Sequence, residues 1–206
     1  MPALNFGTAD DSEELARAEV YGLLANVFYE PLSEELYAQL QVAVTVAPVE
    51  GAFLEASWEG FVAAARRLPL AAIRDEYATL FLGTGKPEVF LYGSYYQAGT
   101  LNEKPLVELR RTLASLGLAR PETVAETEDH IASLCEAMRY LIAGDDLAIC
   151  NLATQRRFFD AHLRGWVDPL FDAIAAHPAA DFHRAAARFG RDFFAVEAQA
   201  FDLLDA

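Results

Sequence analysis

The densest run of chemistry-bearing side chains is Glu126-Thr127-Glu128-Asp129-His130, where three carboxylates and an imidazole fall within five positions. Glu126 and His130 are four apart, a spacing that places two potential metal ligands on one helix face. With Asp129 they could serve a small metal-dependent hydrolase or lyase, and this is the alternative reading of the chain. It is not the leading one, because two ligands do not complete a site, and His162, His177 and His183 form no H-E-x-x-H pair with any neighbour. Gly83-Thr84-Gly85-Lys86 resembles the tail of a phosphate-binding loop, yet Leu80 stands where the first glycine belongs and Pro87 where a Ser or Thr should follow. The serine of Tyr92-Gly93-Ser94-Tyr95-Tyr96 lacks the flanking glycines of a nucleophile elbow, since Tyr92 and Tyr96 occupy both places. With no catalytic constellation intact, the expectation is a non-enzyme with no cofactor and no metal.

Positioning these groups requires helices. Leu70, Ile73, Tyr77, Leu80 and Phe81 recur at three- and four-residue spacing and predict the face of a fourth helix. After Gly83 the periodicity stops, and Gly83, Gly85, Pro87 and Gly93 predict a long loop carrying Phe90, Tyr92, Tyr95 and Tyr96 before the next helix. Loops above about 12 residues inside compact domains are usually functional or disordered, and this one is too apolar for disorder. The Glu126–His130 run reads as a helix start near Val124 or Ala125, with Glu126 and Asp129 in or near the first turn, where carboxylates favour the exposed amides. His130 then opens the apolar run of Ile131, Leu134, Met138 and Leu141.

The remaining helices follow the same logic. Asp10 and Glu13 have the spacing of a capping box before a stripe of Leu15, Glu19, Leu23, Leu24, Val27 and Phe28, stopped at Glu30 by Pro31. Ser33 caps a helix with Leu36, Leu40 and Val44, bounded by Pro48; Phe53, Trp58, Phe61, Val62 and Ala65 mark a third, up to Pro69. Pro105 and Gly117 bracket a helix with Leu106, Leu109, Leu113 and Leu116. Asp145 or Asp146 should cap one carrying Leu147, Cys150, Leu152, Phe158 and Leu163; a short helix holds Leu170, Phe171 and Ile174, and the last runs from Phe182 to Leu203. Val42 to Val46 is the nearest approach to strand alternation, and it follows a helical run. The fold class expected is all-α, a single-domain multi-helix bundle over 1–206, with the long Gly/Pro/aromatic loop between the fourth and fifth helices.

Composition narrows the partners. A net charge of −15 argues against nucleic acid, because phosphate contacts need a basic surface, and is compatible with a basic peptide. No apolar run is long enough for a membrane span, so no membrane insertion is expected. The opening residues carry neither a basic nor an apolar region of a secretory signal, and Cys135 and Cys150 form no C-x-x-C, so a cytoplasmic protein without a disulfide framework is expected.

Two motifs together resemble the TorD-like chaperones, the TorD/DmsD/NarJ redox-enzyme maturation family. The first is an aromatic-x-x-Leu-Phe helix end, here Tyr77, Leu80 and Phe81, followed by Pro87 and the aromatic-Gly-Ser cluster of Tyr92, Gly93, Ser94 and Tyr95. The second is Glu-Pro-x-Asp-His, here Glu126, Thr127, Glu128, Asp129 and His130, with Thr127 in place of the proline. The resemblance covers nearly the whole chain. It implies a cytoplasmic, system-specific chaperone, monomer or homodimer, that binds an apo-molybdoenzyme catalytic subunit or its leader peptide, commonly a twin-arginine leader. Such a chaperone assists cofactor insertion, assembly and proofreading before export. It further implies a client-peptide site that includes Tyr77, Leu80, Phe81, Pro87, Tyr92, Gly93, Ser94 and Tyr95, in which Tyr77, Phe81, Tyr92, Tyr95 and neighbouring aliphatics take the apolar part of the client. Asp129, with Glu126 nearby and His130 positioning it, would take the basic part.

Overall fold

The computed structural model describes residues 9–45, 54–121 and 124–204, and side chains of the first helix from Glu13 onward. The side chain of Asp10, Val46, Pro48 and Phe53 therefore lie outside the described residues. Ten α-helices follow one another: α1 (Ala9–Tyr29), α2 (Glu34–Val42), α3 (Glu55–Arg67), α4 (Leu70–Tyr77), α5 (Gly93–Ala98), α6 (Lys104–Ser115), α7 (Ile131–Ala143), α8 (Leu152–His162), α9 (Val167–Ala176) and α10 (Phe182–Leu203). Among the described residues there is no strand, and Val42 and Val44 are both exposed.

The core is built around α1, which packs most extensively on α7, while α10 covers α3 and α9. Its centre is aromatic. Tyr21 meets Phe193 edge-on at 4.9 Å, Phe61 and Phe189 stack at 5.8 Å, and Phe28 reaches both Phe171 and Phe81. Rings of this size bury large areas, which is how a chain with this many phenylalanines closes its interior without disulfides. Leu24, Val27 and Phe28 lie on the buried side of α1 as the stripe predicts, but Leu15, expected among them, is exposed.

Polar groups inside this core bind helix to helix. Arg17 on α1 forks onto Glu197 of α10 at 2.7 and 2.8 Å, and the Tyr21 hydroxyl donates to the same carboxylate. Glu76, near the end of α4, accepts the backbone N–H groups of Asp181, Phe182 and His183 and contacts the His183 ring at 2.9 Å. A carboxylate near the end of α4 thus caps α10, which satisfies donors that α10 itself leaves open. Burial tends to raise the Glu76 pKa, but these donors overturn that and hold it below the usual carboxylate range.

Two boundaries differ from expectation. Ser33 does cap α2, its hydroxyl accepting the N–H of Leu36 at 3.1 Å. The Asp146 carboxylate, however, accepts the N–H of Ala148 in a turn, and α8 starts later, capped by Asn151, so Leu147 is exposed. No helix of the described residues is long and apolar enough to cross a membrane.

Candidate functional site

α4 does not stop at Tyr77 but widens into a π-helical turn, Ala78–Leu82, closed by the Gly83 N–H donating to the Ala78 carbonyl at 2.9 Å. Gly83 then turns the chain with φ of 61°, where an added Cβ would sit 1.9 Å from the Lys86 carbonyl oxygen. Only glycine fits there. The chain folds back so that the Val89 N–H donates to the Leu80 carbonyl. Tyr77, Leu80 and Phe81 are consequently buried: Phe81 packs against Phe28, Tyr77 and His183, and the Tyr77 hydroxyl donates to the Tyr29 carbonyl at 2.8 Å.

The aromatic stretch that follows is not continuous loop. Gly93–Ala98 forms α5, although the sequence read Gly93 as a breaker. Glycine is admitted there by packing rather than by backbone angle, because a Cβ on Gly93 would lie 2.9 Å from Trp166. Ahead of α5, the two sequence motifs are stitched together. The Gly93 N–H donates to the Asp129 carbonyl at 2.9 Å and the Ile131 N–H donates to the Leu91 carbonyl at 2.8 Å, forming an isolated antiparallel bridge between Tyr92 and His130.

Within that junction Asp129 has a different position from the one its sequence suggests. It precedes α7 rather than lying in its first turn, since α7 begins at Ile131. Its carboxylate is buried, accepting the Ser94 N–H of α5 at 2.9 Å and the Thr127 hydroxyl at 2.6 Å. A proline at 127 could not make the second bond, so the departure from the family pattern has a local use. His130 is the N-cap of α7, its Nδ1 accepting the Ala132 N–H at 3.2 Å, and its ring meets Tyr92 and Tyr29 edge-on. Burial lowers the His130 pKa to about 4 against the opposing charges of Glu126 and Asp129, so the ring is neutral at pH 7.

What remains on the surface is narrower than the motif. Pro87, Tyr92 and Tyr95 are half-buried, Tyr95 stacking on Phe90 at 4.2 Å, while Gly93 and Ser94 are enclosed. The Tyr92 hydroxyl donates to Glu126, which is also half-buried. Burial, that bond and the Glu126 charge together push the Tyr92 hydroxyl pKa well up. Glu128 is committed elsewhere, accepting from Arg110 at 2.9 Å with Arg120 at 3.6 Å. Two residues not singled out in the sequence belong to this surface: Tyr29, exposed at the end of α1 against the His130 ring, and Glu30 beside it. Burial and then the charges of Glu126 and Glu30 raise the Tyr77 pKa. The available signal was an aromatic-acid pair just before the helix-ending Pro31.

Next to Tyr29, α1, α7 and the chain after α6 enclose an apolar groove of about 490 Å³. A metal-dependent catalytic centre is not assembled at the junction. The Asp129 oxygens are spent on Ser94 and Thr127, the His130 Nδ1 on Ala132, and among the described residues no three His, Cys, Asp or Glu side chains converge to hold a metal ion.

The chain is similar in sequence to known proteins. A family model described as "Nitrate reductase delta subunit" matches residues 50–172, more than half the chain. Among curated relatives, a "Chaperone protein TorD" of Vibrio cholerae serotype O1 is 28% identical over 204 residues, covering 91% of this chain and 93% of its own. The protein of the same name in Vibrio parahaemolyticus serotype O3:K6 is 32% identical over 127 residues, covering 56% of this chain and 59% of its own. Another, from Vibrio atlanticus, is 26% identical over 168 residues, covering 73% and 78%.

Proposed function

Because the chain belongs to the nitrate reductase delta subunit family and its relatives are named chaperones rather than enzymes, we propose that it is a cytoplasmic chaperone for a molybdenum-containing oxidoreductase. It binds the apo catalytic subunit, or that subunit's leader peptide, and holds it through cofactor insertion and proofreading before export. The observation that supports this reading is the backbone junction of Leu91–Gly93 with Asp129–Ile131, beside which the half-buried Tyr92 ring meets the half-buried carboxylate of Glu126. Apolar anchors with adjacent carboxylates suit an apolar peptide with a basic flank, through groove packing and charge-assisted hydrogen bonds to guanidinium.

In this proposal the site residues divide by depth. Tyr92, Tyr95, Pro87 and Glu126 meet the client. Tyr77, Leu80, Phe81, Gly93, Ser94, Asp129 and His130 set the geometry from beneath, since each is buried. Titration calorimetry against the full precursor of the candidate molybdoenzyme, apo and cofactor-loaded, tests the reading. Binding that favours the apo form is expected, weakened by Glu126→Gln and Tyr92→Ala; no binding to either form would sink it.

A further inference from the structure

Glu126 is held from two sides. Its carboxylate accepts the Tyr92 hydroxyl, and its backbone carbonyl accepts Nη1 of Arg120 at 3.3 Å. The same nitrogen donates to the Val124 carbonyl, and the Arg120 Nε lies 3.6 Å from the Glu128 carboxylate. One guanidinium therefore meets the chain at Val124, Glu126 and Glu128, along the stretch that leads into Asp129 and His130.

That stretch has little else to fix it. Neither a helix nor a strand runs through it, and among the described residues between Leu118 and Asp129 only the N–H groups of Leu118 and Val124 donate to backbone carbonyls. Carbonyls outside regular structure need partners, and here a side chain supplies them. The planar guanidinium, with N–H groups in a fixed fork, holds two carbonyls and a carboxylate in one geometry, which the point charge of a lysine on its flexible stem does not impose. From the other direction Glu128 is anchored to α6 by Arg110, at 2.9 Å from Nε and 2.8 Å from Nη2. Arg120 lies on the surface and belongs to neither sequence motif.

We infer that Arg120 is a positioning residue for client binding: by spanning the Val124 and Glu126 carbonyls it fixes how the Glu126 carboxylate is presented beside Tyr92. The inference rests on the chaperone reading above and adds to it a residue that acts through Glu126. The sign of the effect separates this role from plain electrostatics. Arg120 is a cation near a carboxylate proposed to meet a basic flank, so by Coulomb attraction alone its removal should tighten binding. Loss of positioning weakens it instead.

The test is titration calorimetry of the full chain against the apo precursor of the candidate molybdoenzyme, with thermal melts alongside. The variants are Arg120→Gln, Arg120→Lys, Arg110→Gln, Glu126→Gln and the double variant Arg120→Gln/Glu126→Gln. As surface changes, both Arg120 variants should melt within about 4 °C of wild type. Arg120→Gln should weaken binding by about three- to tenfold and Arg120→Lys by a comparable factor, while the double variant should bind no more weakly than Glu126→Gln alone. Arg110→Gln removes a charge from Glu128 without touching either carbonyl, and should leave affinity within about twofold of wild type or tighten it.

Unchanged or tighter binding by Arg120→Gln overturns the inference, as does full affinity in Arg120→Lys, where charge alone would suffice. Losses that multiply in the double variant would put Arg120 on the client itself, an equal loss from Arg110→Gln would transfer the effect to Glu128, and a Glu126→Gln variant that binds like wild type would leave Arg120 nothing to position; each overturns it too. If Arg120→Gln does not fold, Arg120→Lys and its double with Glu126→Gln make the same comparison. In all these outcomes the wild-type chain still binds precursor and the chaperone reading stands, whereas a wild-type chain that binds neither apo nor loaded precursor removes both.

Discussion

Replacing Asp129 with alanine separates a scaffold role from a contact role. The side chain is 3% exposed and its Oδ2 accepts the Ser94 N–H at 2.9 Å. A hydrogen bond to a charged group is worth about 1.5–3 kcal/mol, and a buried donor left without a partner costs about 1–3 kcal/mol. These terms overlap, and the Thr127 hydroxyl loses its acceptor as well, so Asp129→Ala should cost about 2–4 kcal/mol in total. For a chain of 206 residues each kcal/mol moves the melting temperature by about 2–4 °C, which places the shift near 6–12 °C for a loss of about 3 kcal/mol. Asp129→Asn keeps one acceptor oxygen without the charge and should fall about midway. Circular dichroism melts give the shift, and amide exchange should locate it, with the Gly93 and Ser94 amides losing protection first. Client affinity should fall in proportion to the loss of α5, not beyond it. A variant that melts within about 2 °C of wild type yet loses client binding would refute this reasoning, because Asp129 would then act on the client rather than on Ser94.

Other changes follow from the same contacts. Phe81→Ala empties a site shared with Phe28, Tyr77 and His183 and should cost about 3–5 kcal/mol by urea unfolding; a loss below about 1 kcal/mol would mean the cavity collapses freely. Gly93→Ala pushes a methyl to 2.9 Å from Trp166 and should destabilise by about 1–3 kcal/mol, with Trp166 fluorescence reporting the displacement; an unchanged spectrum would place the ring elsewhere. His130 titrates at about 4 in the fold against 6.5 when free, so the unfolded chain binds more protons between those values and stability falls as pH drops from about 6.5 to 4. His162, also lowered by burial, adds to that slope, so His130→Asn should remove part of it and leave the rest; an unchanged slope would show a solvated His130.

The helical class and most helix positions were legible because the apolar spacing and the stop signals at Pro31, Pro69 and Gly117 are local, and local signals survive tertiary packing. Three features were not legible for the opposite reason. α5 exists because Asp129, far along the chain, accepts the Ser94 amide and because Trp166 needs the space that Gly93 leaves; neither partner is visible in the helix's own six residues. The late start of α7 has the same cause, since the Leu91 carbonyl captures the Ile131 N–H and holds His130 in extended backbone, directly after a turn closed by the His130 N–H on the Thr127 carbonyl. The alignment of Tyr29 with the junction depends on how far α1 extends before Pro31 and on which turn of α7 it meets.

That pattern of legibility bears on how the two motifs work as a pair. A charged residue beside a histidine invites a surface or catalytic role when it is read alone. Buried against the amide of a helix contributed by the other motif, the same residue becomes the means by which one motif sets the angle of the other. Neither motif supplies the exposed face by itself: the first provides rings without fixed orientation, and the second provides fixed backbone donors and acceptors without rings. It follows that Thr127→Pro, which restores the family pattern but removes the hydroxyl bonded to Asp129, should leave Glu126 and Tyr92 in contact while loosening Asp129. The cost should be about 1 kcal/mol in stability, with client affinity little changed. A loss of affinity much larger than that stability cost would mean that Thr127 itself touches the client, and the division between buried scaffold and exposed contact would have to be redrawn one residue outward.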